Sequence, residues 1–203
     1  MTLITRSIGS SAEVAAADSR NNTLPQKYLR TGPNQSGGGL KITLLTHQRE
    51  LDRKTNTGAL ALQLCGDLVE RRVWARREPD RALLDSIERG EAALVYPTAE
   101  STPAPPEDFA QLILIDATWQ EARKIYNHSP YLQTAPRVSL ESAASSYRLR
   151  RNQPDGGLCT AECVIEILRS HGEDTAAERL EAAFMEFNLD PGLKADKGRH
   201  SPE

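Results

Sequence analysis

Leu112-Ile113-Leu114-Ile115-Asp116-Ala117-Thr118-Trp119-Gln120-Glu121 sets the reading of the chain. Four aliphatic residues in a row leave no polar alternate for a solvent face, so they describe a strand covered on both sides, as in a parallel sheet. The run halts at a carboxylate, and Thr118 stands three residues before Glu121, the spacing of a capping box. A strand therefore ends at Asp116, and a helix opens at Thr118 and runs to about Asn127.

The same pattern recurs on both sides. Upstream, Ala92-Ala93-Leu94-Val95-Tyr96 is an apolar run halted by Pro97, and Lys41-Ile42-Thr43-Leu44-Leu45 is another, halted at Thr46-His47. Between them the spacing predicts a helix over 57–65, a strand over 68–75 and a helix that opens at Asp80 and ends at Gly90. Residues 98–107 carry three prolines and read as a surface loop. Downstream, 136–140 reads as a strand. Thr160 caps a helix with Ala161, Val164, Ile165 and Leu168 on one face, and Gly172 ends it. Thr175 with Glu178 repeats the capping pattern for a last helix carrying Leu180, Ala183, Phe184 and Phe187. Strands alternating with helices define an α/β domain with a mainly parallel sheet and flanking helices.

Residues 1–39, rich in Ser, Asn, Gly and Ala, read as a flexible tail, 40–189 as one domain, and 190–203 as a polar tail. A chain of 203 residues buries one core and is short for two. A net charge of −3 and a pI near 5.9 exclude bulk-charge binding of nucleic acid and leave room for a local basic face. Cys65, Cys159 and Cys163 lack paired spacing, which excludes a disulfide framework and points to the cytoplasm. The absence of any apolar run near ~20 residues, and of a signal-peptide order at the N-terminus, predicts a soluble protein without a membrane partner. Neither a P-loop nor G-x-G-x-x-G occurs.

In parallel sheets ligands bind beyond the carboxyl ends of the strands, which sets Tyr96-Pro97 and Asp116 to Trp119 at the ligand edge. Two readings of Asp116 stand side by side. Burial after four aliphatics raises the pKa of a carboxyl group and suits it to chemistry, whereas Asp and Thr at a strand-to-helix turn also serve as plain helix caps. Trp119 either stacks on a base or a sulfonium, or joins the core. The stretch Tyr147-Arg148-Leu149-Arg150-Arg151, followed by Gly156-Gly157-Leu158-Cys159-Thr160-Ala161-Glu162, offers cations beside free helix amides that can meet a carboxylate or phosphate; an arginine run is equally a solvated face. Arg71-Arg72 and Arg76-Arg77 read as an exposed edge. His47 has no second ligand at i+2 or i+4, so it reads as a hydrogen-bonded residue and not as a metal site. Cys159 and Cys163 read as buried small hydrophobes.

These blocks, in this order, resemble the DTW-domain family of tRNA-uridine aminocarboxypropyltransferases: Leu94-Val95-Tyr96-Pro97, then Leu114 to Trp119, Tyr147 to Arg150, and Leu158 to Glu162. His47 with Glu50 and Asn56-Thr57-Gly58 match its N-terminal signature, and the likeness spans residues 41–187. Gln48 stands where the family commonly has proline. Many members carry a cysteine-rich segment ahead of the His block; residues 1–39 hold no Cys, so no metal is expected.

The resemblance implies transfer of the 3-amino-3-carboxypropyl group of S-adenosylmethionine to N3 of a tRNA uridine, with methylthioadenosine leaving. It also implies a SPOUT-like fold with a C-terminal trefoil knot, although the general rule is against knots. On this reading Asp116, Thr118 and Trp119 are catalytic, with Asp116 the base. Leu94, Tyr96, Pro97, Leu114, Ile115, Asp116, Tyr147, Leu158, Cys159, Thr160 and Glu162 hold S-adenosylmethionine as substrate. His47, Asn56, Thr57, Arg123, Lys124, Arg148, Arg150 and Arg151 meet tRNA, and the protein acts as a monomer. The alternatives are a methyltransferase using the same donor and a non-catalytic RNA-binding assembly factor.

Overall fold

The computed structural model describes residues 39–97, 104–140 and 158–190. The expected tails, apart from Gly39 and Asp190, and Tyr147, Arg148, Arg150 and Arg151 lie outside them. Five strands form one sheet: β1 (Lys41–Thr46), β2 (Val69–Val73), β3 (Ala92–Val95), β4 (Gln111–Asp116) and β5 (Arg137–Val138), in the order β2-β1-β4-β3-β5. Every pairing is parallel, so the expected mainly parallel sheet is entirely so among the described residues.

The apolar runs explain why. Successive residues of a strand point to opposite faces, and here both faces are core. Ile42, Leu44, Ala93, Leu112 and Leu114 join Ala61 of α1 (Thr57–Leu64), Val164 and Leu168 of α5 (Thr160–Ser170) and Leu180 of α6 (Asp174–Leu189). Leu45, Leu94 and Ile113 join Leu83 and Ile87 of α2 (Arg81–Glu88), Ile125 of α3 (Trp119–Asn127) and Leu132 of α4 (Pro130–Thr134). Burying each of these large side chains contributes about 1.5–3 kcal/mol, and the sheet is clamped from both sides.

Helix starts follow the capping chemistry with two exceptions. Asp80 caps α2 through Leu83 N, and Thr118 caps α3 through Glu121 N. Thr160 does not cap α5. The cap falls on Cys159, whose backbone N–H donates to Glu162 Oε2 at 2.8 Å, and this frees the Thr160 hydroxyl for another partner. Thr175 likewise lies inside α6: Gly172, at φ +74°, turns the chain so tightly that the cap position already falls on Glu173. The short helix α4 escaped the sequence pattern, because five residues opening on Pro130 show no helical period.

Candidate active site

The carboxyl ends of β1, β2 and β4 lie in register, with Thr46 paired to both Val73 and Asp116. Asp116 is 3% exposed, and three side chains among the described residues donate to it. Thr46 Oγ1 lies 3.1 Å from Oδ2, and also 3.3 Å from the Leu44 carbonyl. Asn56 Nδ2 donates to Oδ2 at 3.1 Å, and Thr160 Oγ1 to Oδ1 at 2.9 Å. Arg71 adds a cation, its Nη2 3.8 Å from Oδ2. The sequence reading put Arg71 on an exposed edge; only one of the Arg71-Arg72 pair can face each side of a strand, and Arg71 takes the side of Thr46 and Asp116. Arg72 takes the other, paired to Glu70 and Asp80.

Two helix N-termini converge on the same carboxylate. Asn56 is the N-cap of α1, accepting from Ala59 N at 2.9 Å through its own side-chain oxygen. Thr160 is the first residue of α5. The two helix starts are tied directly, since Ala161 N donates to Thr57 Oγ1 at 3.2 Å. Gly58 completes the closure: a Cβ there would stand 2.7 Å from Asp116 Oδ2 and 2.8 Å from Cγ and Oδ1, so only glycine lets the first turn of α1 approach this near.

On the other flank lies a ladder of planar groups. Tyr96, just past β3, stacks on Trp119 (centroids 5.9 Å, 15°) and on Tyr126 (4.5 Å, 11°), and Arg137 covers Tyr126 at 5.7 Å. Burial raises the Tyr96 pKa above the ordinary phenol value. Trp119 and Tyr96 are half-buried and Pro97 is exposed, so this flank opens toward solvent.

A third group follows β1 and β2. His47 caps a 3-10 turn, its Nδ1 accepting from Arg49 N at 3.1 Å, and its ring stacks on Trp74 at 6.0 Å. Trp74 Nε1 donates to the buried Ser129 at 2.9 Å. Glu121 stands near by, 14% exposed, accepting from Thr118 Oγ1 at 2.8 Å and facing Arg49 at 3.9 Å. Burial opposes its ionisation, yet the Thr118 hydrogen bond and the nearby His47 and Arg53 hold its pKa below the ordinary glutamate value. Arg49, Arg53, Lys54, Arg76 and Arg77 are exposed in these loops, as are Arg123 and Lys124 on α3.

The structure thus brings Asp116, Asn56, Thr57 and Thr160 into one cluster, and Tyr96 with Trp119 into another. Asn56 and Thr57, expected at RNA, turn inward with their polar atoms spent on the protein. Leu94 and Leu114 are core, Ile115 and Leu158 are half-buried, and Cys159 and Glu162 are buried at the start of α5. Sequence reasoning missed Thr46, Arg71 and Glu121 as neighbours of the site, and Gly58 appeared only as part of a motif. Among the described residues no group of three His, Cys, Asp or Glu gathers as a metal site, and no helix is long and apolar enough to cross a membrane.

A parallel α/β domain whose polar and aromatic residues gather at the carboxyl edge of the sheet is of the class that takes small ligands there. The family model described as the DTW domain matches residues 28–189, and the chain belongs to that family. It is 32% identical over 138 residues to tRNA-uridine aminocarboxypropyltransferase 2 of Drosophila melanogaster, a match covering 63% of this chain and 55% of that protein. The chain thus matches little more than half the length of this relative. No solved structure matches.

Proposed function

We propose that this protein transfers the 3-amino-3-carboxypropyl group of S-adenosylmethionine to N3 of a uridine in tRNA. The observation that carries the proposal is the position of Asp116, in the stretch that resembles the DTW motif, at a strand end where two helix N-termini meet. Support comes also from the family and from the name of the fly relative. The residues fit the donor on chemical grounds: the two N-termini and Arg71 favour a carboxylate, and the Tyr96–Trp119 stack offers an aromatic surface to a sulfonium or an adenine.

The donor supplies a carbon bonded to a sulfonium, which departs as a neutral thioether and needs no acid. The N3–C bond forms as the C–S bond breaks, and the N3 proton must leave. A carboxylate has about four lone-pair sites; among the described residues Oδ2 of Asp116 accepts from Thr46 and Asn56, while Oδ1 accepts from Thr160 alone. The remaining site on Oδ1 is the proposed acceptor of the N3 proton, a general-base role. Thr118 holds the helix that carries Trp119, and the site residues around Leu158 to Glu162 order the start of α5. Exposed Arg123, Lys124 and the cations after β1 and β2 form the proposed tRNA face; Arg148, Arg150 and Arg151, also proposed to contact tRNA, lie outside the described residues. The SPOUT-like trefoil knot belongs to the same proposal; residues 141–157, between β5 and α5, lie outside the described residues.

The test is nucleoside mass spectrometry of tRNA incubated with the protein and S-adenosylmethionine. A uridine bearing the aminocarboxypropyl mass, with methylthioadenosine as co-product, is expected. S-adenosylhomocysteine as co-product would establish a methyltransferase instead, and no product with no donor binding would leave an RNA-binding module. Asp116→Asn should abolish transfer; near wild-type turnover removes Asp116 as base.

A further inference from the structure

One member of the carboxylate cluster is left unsatisfied. Arg71 rises from β2 on the face of Thr46 and Asp116, and its Nε and Nη2 are buried without a hydrogen-bond partner among the described residues. The 3.8 Å from Nη2 to Asp116 Oδ2 is an ion pair but too long for a hydrogen bond, and Oδ2 is already occupied by Thr46 and Asn56. Nε and Nη2 make up one edge of the guanidinium. Their parallel N–H bonds match the two oxygens of a carboxylate, the fork geometry that lysine lacks.

We propose that Arg71 receives the carboxylate of the donor's amino-acid portion through this Nε/Nη2 edge. The inference rests on the reading of S-adenosylmethionine as donor. Among the anions of that reaction, RNA phosphates meet the exposed cations Arg123 and Lys124, whereas the donor carboxylate belongs to the very group that is transferred. Holding it fixes which carbon on the sulfonium faces the nucleophile, so Arg71 is a residue that selects aminocarboxypropyl transfer over methyl transfer. Both donor atoms are covered, so the proposal requires that they be uncovered when the donor binds.

Calorimetry on the full chain tests this with three ligands: S-adenosylmethionine, its decarboxylated analogue and methylthioadenosine. The wild type is expected to prefer S-adenosylmethionine over the decarboxylated analogue. Arg71→Met should weaken S-adenosylmethionine about 10- to 100-fold, the range for a charged hydrogen-bonded pair, and erase that preference while methylthioadenosine binds as before. Arg71→Lys should restore only part of it. If Arg71→Met binds methylthioadenosine normally and keeps the full preference for the carboxylate, the proposal is overturned and the donor reading stands. If the wild type binds none of the three, both fall. Should Arg71→Met lose its fold by circular dichroism, Arg71→Lys decides: an undiminished wild-type preference there also overturns the proposal.

Discussion

Gly58→Ala sets two principles against each other. Gly58 lies in the first turn of α1, where alanine is the better helix former by up to about 1 kcal/mol. On propensity alone the variant gains stability. The added Cβ, however, stands 2.7–2.8 Å from three atoms of Asp116, and that side chain is buried and anchored by Thr46, Asn56 and Thr160, so it cannot swing away cheaply. Overpacking costs about 1–3 kcal/mol, and losing one hydrogen bond to a charged group about 1.5–3 kcal/mol more. After a helical gain of about 1 kcal/mol is subtracted, the net loss is roughly 1.5–5 kcal/mol, and a domain of this size then melts roughly 3–20 °C lower. Thermal and urea unfolding followed by circular dichroism measure it, with donor binding assayed in parallel. In an Asp116→Ala background the obstructing atoms are gone, so Gly58→Ala should become neutral or stabilising, and a double-mutant cycle isolates the coupling. A Gly58→Ala protein that melts at or above the wild type and binds donor normally would refute the close packing of α1 on Asp116.

Three further outcomes are expected. Burial pushes the Cys159 thiol up to about 12, so native protein exposed to iodoacetamide should be labelled at the half-buried Cys163 before Cys159; early labelling of Cys159, read by peptide mass mapping, contradicts its placement. Because the Glu121 pKa is lowered below 4.5, its ionised form stabilises the fold above about that pH, and the benefit fades as pH falls through the folded value. The stability gap between wild type and Glu121→Gln should therefore be full at pH 7 and shrink below about pH 4.5; a gap that widens in acid refutes the sign. Tyr96→Phe keeps both ring stacks and should change stability by less than about 0.5 kcal/mol, whereas Tyr96→Ala should cost about 2 kcal/mol, since each aromatic pair is worth about 0.5–1.5 kcal/mol beyond its buried area; equal melting of the two variants would show that the ladder contributes nothing.

What the sequence disclosed, and what it withheld, divides along the range of the interactions. Apolar runs such as Leu112 to Ile115 fix a strand by local pattern, and Asp80 and Thr118 announce helices through caps that reach only three residues. The Asp116 cluster is different: the partner chosen by Thr160 depends on Cys159 having taken the cap, and the inward turn of Arg71 depends on which face of an edge strand meets α1. No spacing along the chain encodes either choice. The family resemblance gathered Asp116, Asn56, Thr57 and Thr160 as site residues without saying that they bind one another, and it gave no hint of Arg71 or Thr46.

The ties that converge on Asp116 also order events in time. Thr46, Asn56 and Thr160 stand 70, 60 and 44 residues from it along the chain, so each tie closes a large loop, whose entropy must be met before the contact gives any return. During synthesis β1, α1 and β4 emerge well before α5, and until Thr160 arrives the carboxylate lacks one of its donors and the first turn of α1 lacks its tie to Ala161. The cluster is therefore complete only when α5 has docked, since Thr160 and Ala161 supply two of its ties. A chain cut short before residue 160 carries the whole stretch Asp116 to Trp119 and still lacks both the Thr160 bond to Asp116 and the Ala161 bond to Thr57.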